Sequence, residues 1–269
     1  MELAEIGLID DADIDLIEAG VALSLADRSK GDSRGADPQH LRRLMSGWAM
    51  TLQRDLAPAT GKGRALRMAG MIAGDAGLTG DVQDYDNPLN ADLVAVATRG
   101  RGLPIALSIL YVALARRVGW RVDALAVPGH VLVEVHGGGD SALVDPFDHG
   151  TTVSPARAAD IARHGGGVPI GGRFPVMSNR QMLVRLVSNQ ASRARLNGDS
   201  SRALALYERL TLLAPAVSAL WWERAGLEQR IGRLTAARAS LTAMLETTHD
   251  PALVHRIRTT LAALARSDI

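Results

Sequence analysis

Apolar residues recur at helical spacing over the first ninety residues of the chain. The two clearest runs are IDLIEAGVALSLADR, which begins at Ile14, and QHLRRLMSGWAMTLQRDL, which begins at Gln39. A spacing of three or four residues places apolar side chains on one face of a helix. The pattern therefore predicts two amphipathic helices, and Asp37-Pro38 marks the start of the second. The apolar positions are Ile14, Ile17, Val21 and Leu25 in the first helix, and Leu41, Leu44, Trp48 and Leu52 in the second.

A third run, PIALSILYVALARRV at 104–118, is apolar on nearly every side. A helix with this composition is buried all round rather than on one face. Pro104 suits its first turn, where a missing N–H costs nothing, and Gly100 and Gly102 allow the chain to turn sharply into it. The run predicts a central core helix.

The residue composition changes between Asp123 and Asp145, where two Val- and Leu-rich segments flank HGGGDS. This arrangement predicts a β-hairpin. If the hairpin closes with His136 opposite Ser141, Leu132 falls opposite Asp145. His130 is then a diagonal neighbour of Asp145 on the same face, with Cα atoms roughly 7 to 8 Å apart. The pairing depends on a loop of even length, since an odd loop would put the two side chains on opposite faces.

Glycine and proline dominate residues 166–178, and the sequence beyond them is helical in pattern. We therefore predict a linker at 166–178 and a helical region at 179–269. The tail repeats with an offset of 34 residues, and NGDSSRALALYERLTLLAP resembles the second helix of a tetratricopeptide repeat. An ordinary helical bundle with an accidental period remains the alternative. The offset aligns Gly198 with Gly232, Ala203 with Ala237, Tyr207 with Leu241 and Leu210 with Met244.

Composition removes several classes of function. The net charge is +1, and the arginines are interspersed with acidic residues, so we expect no nucleic-acid partner. The chain contains no cysteine, which excludes disulfides, thiolate metal sites and cysteine nucleophiles. Its first residues are acidic, and no apolar run approaches the roughly 18 residues of a membrane-spanning helix. We expect a cytoplasmic protein without a membrane partner.

Four segments carry a family resemblance: YDNPLNADL at 85–93, RGRGLPIALSILYVALARRVGW at 99–120, PGHVLVEV at 128–135 and LVDPF at 143–147. In order and spacing they resemble the transglutaminase-like superfamily and specifically its SirB-type branch. The resemblance implies an α+β fold: a papain/transglutaminase-like domain of helices and a small antiparallel sheet, with N-terminal helices, at 1–165, followed by an all-α helical-repeat domain.

Catalytic members of this superfamily use a Cys-His-Asp triad. By the resemblance, His130 matches the histidine, Asp145 matches the aspartate, and the cysteine position falls on Pro104. Proline offers neither a nucleophile nor an N–H for an oxyanion hole. We therefore predict a non-catalytic protein that binds another protein or a peptide, with no cofactor and no metal; the sequence leaves its oligomeric state open.

The alternative is a hydrolase or acyl-transfer enzyme. Ser108 lies one helical turn beyond Pro104 and would have to act as the nucleophile with His130 and Asp145, although a serine there more often bonds to the carbonyl four residues earlier. A metal ion is a second route, since His136, Asp148 and His149 lie near the pair in sequence. Their spacing matches no metal motif, and we expect His136 and His149 in surface loops.

Overall fold

The computed structural model describes residues 2–27, 37–54 and 58–266. It confirms the predicted α+β class. The helices are α1 (Leu3–Leu8), α2 (Leu16–Asp27), α3 (Pro38–Arg54), α4 (Gly61–Ala69), α5 (Leu93–Arg99), α6 (Pro104–Arg117), α7 (Pro155–His164), α8 (Asn179–Leu196), α9 (Ser200–Leu213), α10 (Ser218–Arg230), α11 (Leu234–Thr247) and α12 (Pro251–Arg266). The strands are β1 (Thr79–Gly80), β2 (Arg101–Gly102), β3 (Val122–Val127), β4 (His130–Gly137), β5 (Asp140–Asp145) and β6 (Thr151–Val153).

The chain divides into two compact units. Residues 10–186 form the first, and residues 2–9 with 187–269 form the second. In the first unit α3 begins at Pro38 as predicted, where Asp37 Oδ1 accepts the N–H of Gln39 at 2.9 Å. Leu25 is 51% exposed, although its spacing placed it on the buried face of α2.

Helix α6 is the core helix of the first unit. Every residue from Pro104 to Ala115 is buried, as the all-round apolar pattern predicted. Pro104 occupies the first turn, and Gly100 ends α5 with a left-handed φ of 69°, a conformation that glycine adopts without steric cost. The chain therefore reverses between α5 and α6 within a few residues.

Four strands form an antiparallel sheet in the order β3-β4-β5-β6. His136 pairs with Ser141, which confirms the predicted register, and Gly138 and Gly139 make the turn. Gly139 has a φ of 98°, which favours glycine at that position. Because the loop is even, His130 and Asp145 lie on the same face of the sheet. Helix α7 packs on the sheet through a small cluster of buried apolar residues: Leu125, Val127 and Leu132 of the sheet, and Ala158 and Ala162 of α7.

The segment predicted as a linker belongs to the first unit in this division. Its last residues run beside β3: the N–H of Ala126 donates to the Pro175 carbonyl and the N–H of Met177 donates to the Ala124 carbonyl, both at 2.8 Å. Pro175, which has no N–H, supplies only its carbonyl to this pairing. A composition rich in glycine and proline is typical of linkers and also occurs at strand edges, so the linker at 166–178 stays a prediction.

The second unit is helical. Gly198 and Gly232, which the 34-residue offset aligns, both have a left-handed φ and both lie between consecutive helices. The other aligned positions are buried, so the repeat corresponds to equivalent packing positions. Trp221 and Trp222 pack against the apolar cluster of α10, α11 and α12. No helix in the described residues is long and apolar enough to cross a membrane.

Candidate functional site

The start of α6 is anchored by the segment that precedes it. The N–H of Leu103 donates to the Asn90 carbonyl at 2.9 Å, and Arg99 Nη1 donates to Asn90 Oδ1 at 2.9 Å. Asn90 itself is fully buried and donates from Nδ2 to the Asp84 carbonyl. This network fixes the helix terminus where the resemblance places a nucleophile, and Pro104 occupies that position.

Ser108 does not fit the nucleophile role that the enzyme alternative requires. Its side chain is fully buried, and Oγ donates to the Pro104 carbonyl at 2.8 Å. This is the bond to the carbonyl four residues earlier that the sequence favoured. A hydroxyl in this position has no open face for a substrate.

His130 and Asp145 form a close pair at the ends of β4 and β5. His130 Nε2 lies 2.8 Å from Asp145 Oδ2, and the side chains are only 16% and 10% exposed. Asp145 Oδ1 accepts the N–H groups of Phe147 (2.9 Å) and Asp148 (3.3 Å). The carboxylate is thus held on both oxygens. With Nε2–H donating to the carboxylate, Nδ1 is the ring nitrogen left to accept a hydrogen bond.

Aromatic rings flank the pair. The Phe147 ring meets the His130 ring edge-on, with centroids 6.1 Å apart, and the Tyr85 ring meets Phe147 in the same way at 5.7 Å. Phe147 lies flush against Gly80 of β1, where an added Cβ would come within 2.5 Å of the ring. Such edge-to-face contacts orient rings specifically. Sequence reasoning did not assign Tyr85 or Phe147 to the site, although both lie in segments that carry the resemblance.

The pair lines a cleft of about 710 Å³. Helix α7 contributes one wall through Arg157, Ile161 and His164, which are spaced by about one helical turn and so share a face. The Arg157 guanidinium has no ion-pair partner in the part of the chain that the structure describes. No local signal in the sequence indicated that α7 residues belong to the site. The full lining is Pro128, Gly129, His130, Asp145, Asp148, Thr151, Thr152, Val153, Arg157, Ile161, His164 and Gly165.

Arg185 of α8 reaches the turn that carries His130. Its Nη2 donates to the His130 carbonyl at 2.7 Å and more weakly to the Val127 carbonyl at 3.4 Å. Burial lowers the pKa of the Arg185 guanidinium from its usual value, and the nearby Tyr85 opposes that shift. Arg185 lies 55 residues beyond His130, and no motif in the sequence indicated its role.

Of the remaining metal candidates, Asp148 lines the same cleft and its Oδ2 accepts the Thr151 hydroxyl, while the two histidines do not join the pair. His136 lies in β4 rather than in a loop, which corrects the prediction, and it pairs with Asp123 at 2.9 Å. His149 is exposed in a turn, as expected. Within the described ranges, no group of three His, Asp or Glu side chains is arranged to hold a metal ion.

Tyr111 of α6 lies behind the site. Burial, and to a smaller extent the negative charge of Asp145, raises the pKa of Tyr111. Its hydroxyl is buried without a hydrogen-bond partner among the described residues and lies close against Gly150. A side chain at position 150 would displace the Tyr111 ring, so glycine at this position allows α6 to pack closely against the turn after Asp145.

Comparison with known proteins points to two families. A sequence model described as "Transglutaminase-like superfamily" matches residues 39–188, and one described as "Tetratricopeptide repeat" matches residues 191–262. A "UPF0162 protein" of Xylella fastidiosa (strain 9a5c) is 28% identical over 176 residues, which cover 63% of each chain. This chain therefore covers less than two thirds of that curated relative.

A second relative matches over a shorter stretch. "F-box only protein 21" of Mus musculus is 37% identical over 70 residues, which cover 26% of this chain and 11% of that protein. No solved structure matches the chain significantly.

Proposed function

Since the chain belongs to the transglutaminase-like superfamily, we propose that it is a non-catalytic member whose cleft beside His130 and Asp145 binds a segment of a partner polypeptide. The observation that carries this proposal is the contrast between the two halves of the site. The histidine–aspartate pair is hydrogen-bonded and lines a cleft, while the position of the nucleophile holds a buried proline. A proline cannot attack a carbonyl carbon.

The lining of the cleft supports a polypeptide as the ligand. His130 Nδ1 is a free acceptor for a peptide N–H, and Arg157 is a donor without an acidic partner in the described chain. Pro128, Val153 and Ile161 add apolar surface between these polar groups. Polar groups of this kind hydrogen-bond the main chain of a bound peptide, and the apolar side chains give its side chains a surface to pack against.

The helical repeats support the same class of function. Tetratricopeptide-type repeats stack into surfaces suited to extended or helical segments of other proteins. The four segments of the first domain also support membership of the SirB-type branch. A cytoplasmic location remains a prediction from the sequence.

Catalysis is tested directly with the full-length protein. Incorporation of a fluorescent amine into a glutamine-containing peptide and hydrolysis of p-nitrophenyl acetate should both stay at the rate without protein. His130→Ala and Ser108→Ala should change neither rate, and His136→Ala serves as the matched histidine control. Turnover that falls in His130→Ala but not in His136→Ala would make the chain an enzyme and overturn the proposal.

Binding is tested by placing a photoreactive side chain at Thr152 in the cleft, with a second full-length variant carrying it at exposed Thr51. We expect a discrete protein crosslink in cells from Thr152 only. His130→Ala should weaken it and His136→Ala should not. Equal labelling from both positions would contradict a specific cleft. A crosslink from Thr242 of α11 without one from Thr152 would assign binding to the repeats instead.

A further inference from the structure

Arg185 carries a charge that the described chain does not neutralise. Its guanidinium is partly buried, and its hydrogen-bond partners are two main-chain carbonyls, those of Val127 and His130. No carboxylate of the described residues forms an ion pair with it. Carbonyl dipoles stabilise a cation less than a carboxylate does, and a charge removed from water without a counter-ion is costly.

Other arginines of the first unit show both arrangements. Arg42 donates twice to Glu18, and Arg99 pairs with Asp81 at 3.3 Å, so each has its acid within the chain. Arg64, like Arg185, donates to two main-chain carbonyls, those of Pro58 and His136. The guanidinium of Arg64 lies over the Trp120 ring, whereas Arg185 bonds to the residue whose ring lines the cleft.

The surroundings of Arg185 also suit a ligand. Its guanidinium donates to the main-chain carbonyl of His130, the residue whose ring lines the cleft. The Phe147 ring contacts the rings of His130 and Tyr85, and Tyr85 is 42% exposed. Among the described residues, acceptors engage only Nη2, so Nε–H and the Nη1 hydrogens remain as donors there.

We propose that Arg185 anchors an anion subsite beside His130 that binds a carboxylate of the partner polypeptide. This inference rests on the proposed function and specifies the chemistry of the ligand. A single guanidinium with donors to spare matches the charge and size of one carboxylate, whereas a phosphate dianion is usually met by several donors or cations. The carboxylate comes from an acidic side chain or from a chain terminus.

The test is an NMR titration of the full-length, 15N-labelled protein, with the Arg185 Nε–H signal assigned by its loss in Arg185→Lys. Three probes separate the sources: N-acetylglutamic acid α-amide carries a side-chain carboxylate, N-acetylalanine carries a terminal one, and N-acetylglutamine α-amide carries none. Arg157→Gln is the matched control, because it removes the other unpaired guanidinium near His130.

We expect one of the acidic probes to shift the Arg185 Nε–H and His130 ring signals saturably, and the neutral probe to bind at least about tenfold more weakly. Arg157→Gln should respond as the unchanged protein does. The inference is overturned if the acidic and neutral probes act alike on the unchanged protein, a result that needs no variant to fold. It is also overturned if Arg157→Gln abolishes the response.

The two proposals fail separately. A missing crosslink from Thr152 would contradict partner binding in the cleft while the carboxylate response could still be measured. A clear crosslink with no carboxylate response would overturn only the subsite at Arg185.

Discussion

Strand β4 carries two histidine–aspartate pairs, one near each end. His130 bonds Asp145 of β5 at 2.8 Å, and His136 bonds Asp123 of β3 at 2.9 Å. In both cases the aspartate is a diagonal neighbour across the sheet. Asp123 pairs with Glu134, which lies two residues from His136 on the same face. The β4–β5 register, continued one residue beyond Val133 and Val144, puts Asp145 opposite Leu132, two residues from His130. The pairwise geometry of the two pairs is nearly the same.

Their surroundings differ. The Asp123 carboxylate also pairs with Arg121, whose side chain is 72% exposed, and Glu134 lies 4.0 Å from the same histidine. Asp145 instead accepts two main-chain N–H groups, and its histidine lines a cleft. A histidine–aspartate pair is therefore not a site by itself. What distinguishes the first pair is a carboxylate fixed by the backbone and an adjoining volume for a ligand.

The largest difference should come from removing the aspartates. Asp145→Ala takes the acceptor away from the Phe147 and Asp148 N–H groups and from His130, so we expect a loss of about 2 to 3 kcal/mol in the free energy of unfolding. Asp123→Ala removes a partner from side chains that reach solvent and should cost less than about 1 kcal/mol. Urea unfolding of both variants measures this. Equal losses would show that the backbone bonds to Asp145 contribute little.

A smaller difference should come from the glycines of the two turns. Gly129 has a φ of 71°, and an added Cβ would lie 2.9 Å from Gly165 Cα, whereas Gly139 has a φ of 98° and open space. Gly129→Ala therefore adds a backbone clash to conformational strain and should cost about 2 kcal/mol. Gly139→Ala adds strain alone and should cost about 1 kcal/mol.

Urea unfolding again ranks the glycine variants, and the His130 ring signals report whether the turn has shifted. Gly129→Ala should move these signals and Gly139→Ala should not. If Gly139→Ala proved the more destabilising, the greater strain would lie in the β4–β5 turn, and the close contact of Gly129 with Gly165 would contribute little to the stability of the site.

The sequence predicted the parts of the site that depend on local rules. The turn HGGGDS favours an even loop, and with that loop strand periodicity brings His130 to Asp145 without knowledge of the rest of the fold. The start of α6 at Pro104 and its all-round burial follow from composition in the same way. These features need only residues within about twenty positions of one another.

The parts that were missed depend on packing between distant elements. Arg185 reaches His130 from α8, and Arg157 reaches the cleft from α7. An isolated arginine on an amphipathic helix carries no mark of the partner it will meet, because surface and site arginines have the same local pattern. The misplacement of His136 in a loop has a different cause: the strand continues two residues into the apparent turn segment HGGGDS.

A further difference concerns the histidines. His130→Ala leaves Asp145 Oδ2 without its partner in a poorly exposed position, so we expect a loss of about 1 to 2 kcal/mol. After His136→Ala, Asp123 still has Arg121, and the loss should stay near 0.5 kcal/mol. Thermal unfolding of both variants at one pH checks the order. If His136→Ala proved the more destabilising, the His130–Asp145 pair would not be the more strongly held of the two.

The smallest effect should be that of Arg121→Ala. Its exposed ion pair with Asp123 should contribute less than about 0.5 kcal/mol at low ionic strength, because solvent and salt screen surface charges. A double-mutant cycle with His136→Ala, measured at about 0.1 M and about 1 M NaCl, isolates the coupling through the shared carboxylate. The coupling should disappear at high salt, whereas the loss from His130→Ala should persist because that pair is shielded from solvent. Coupling between Arg121 and His136 that survives high salt would mean that the His136–Asp123 pair is as shielded from solvent as the His130–Asp145 pair. That result would contradict the difference between the two pairs.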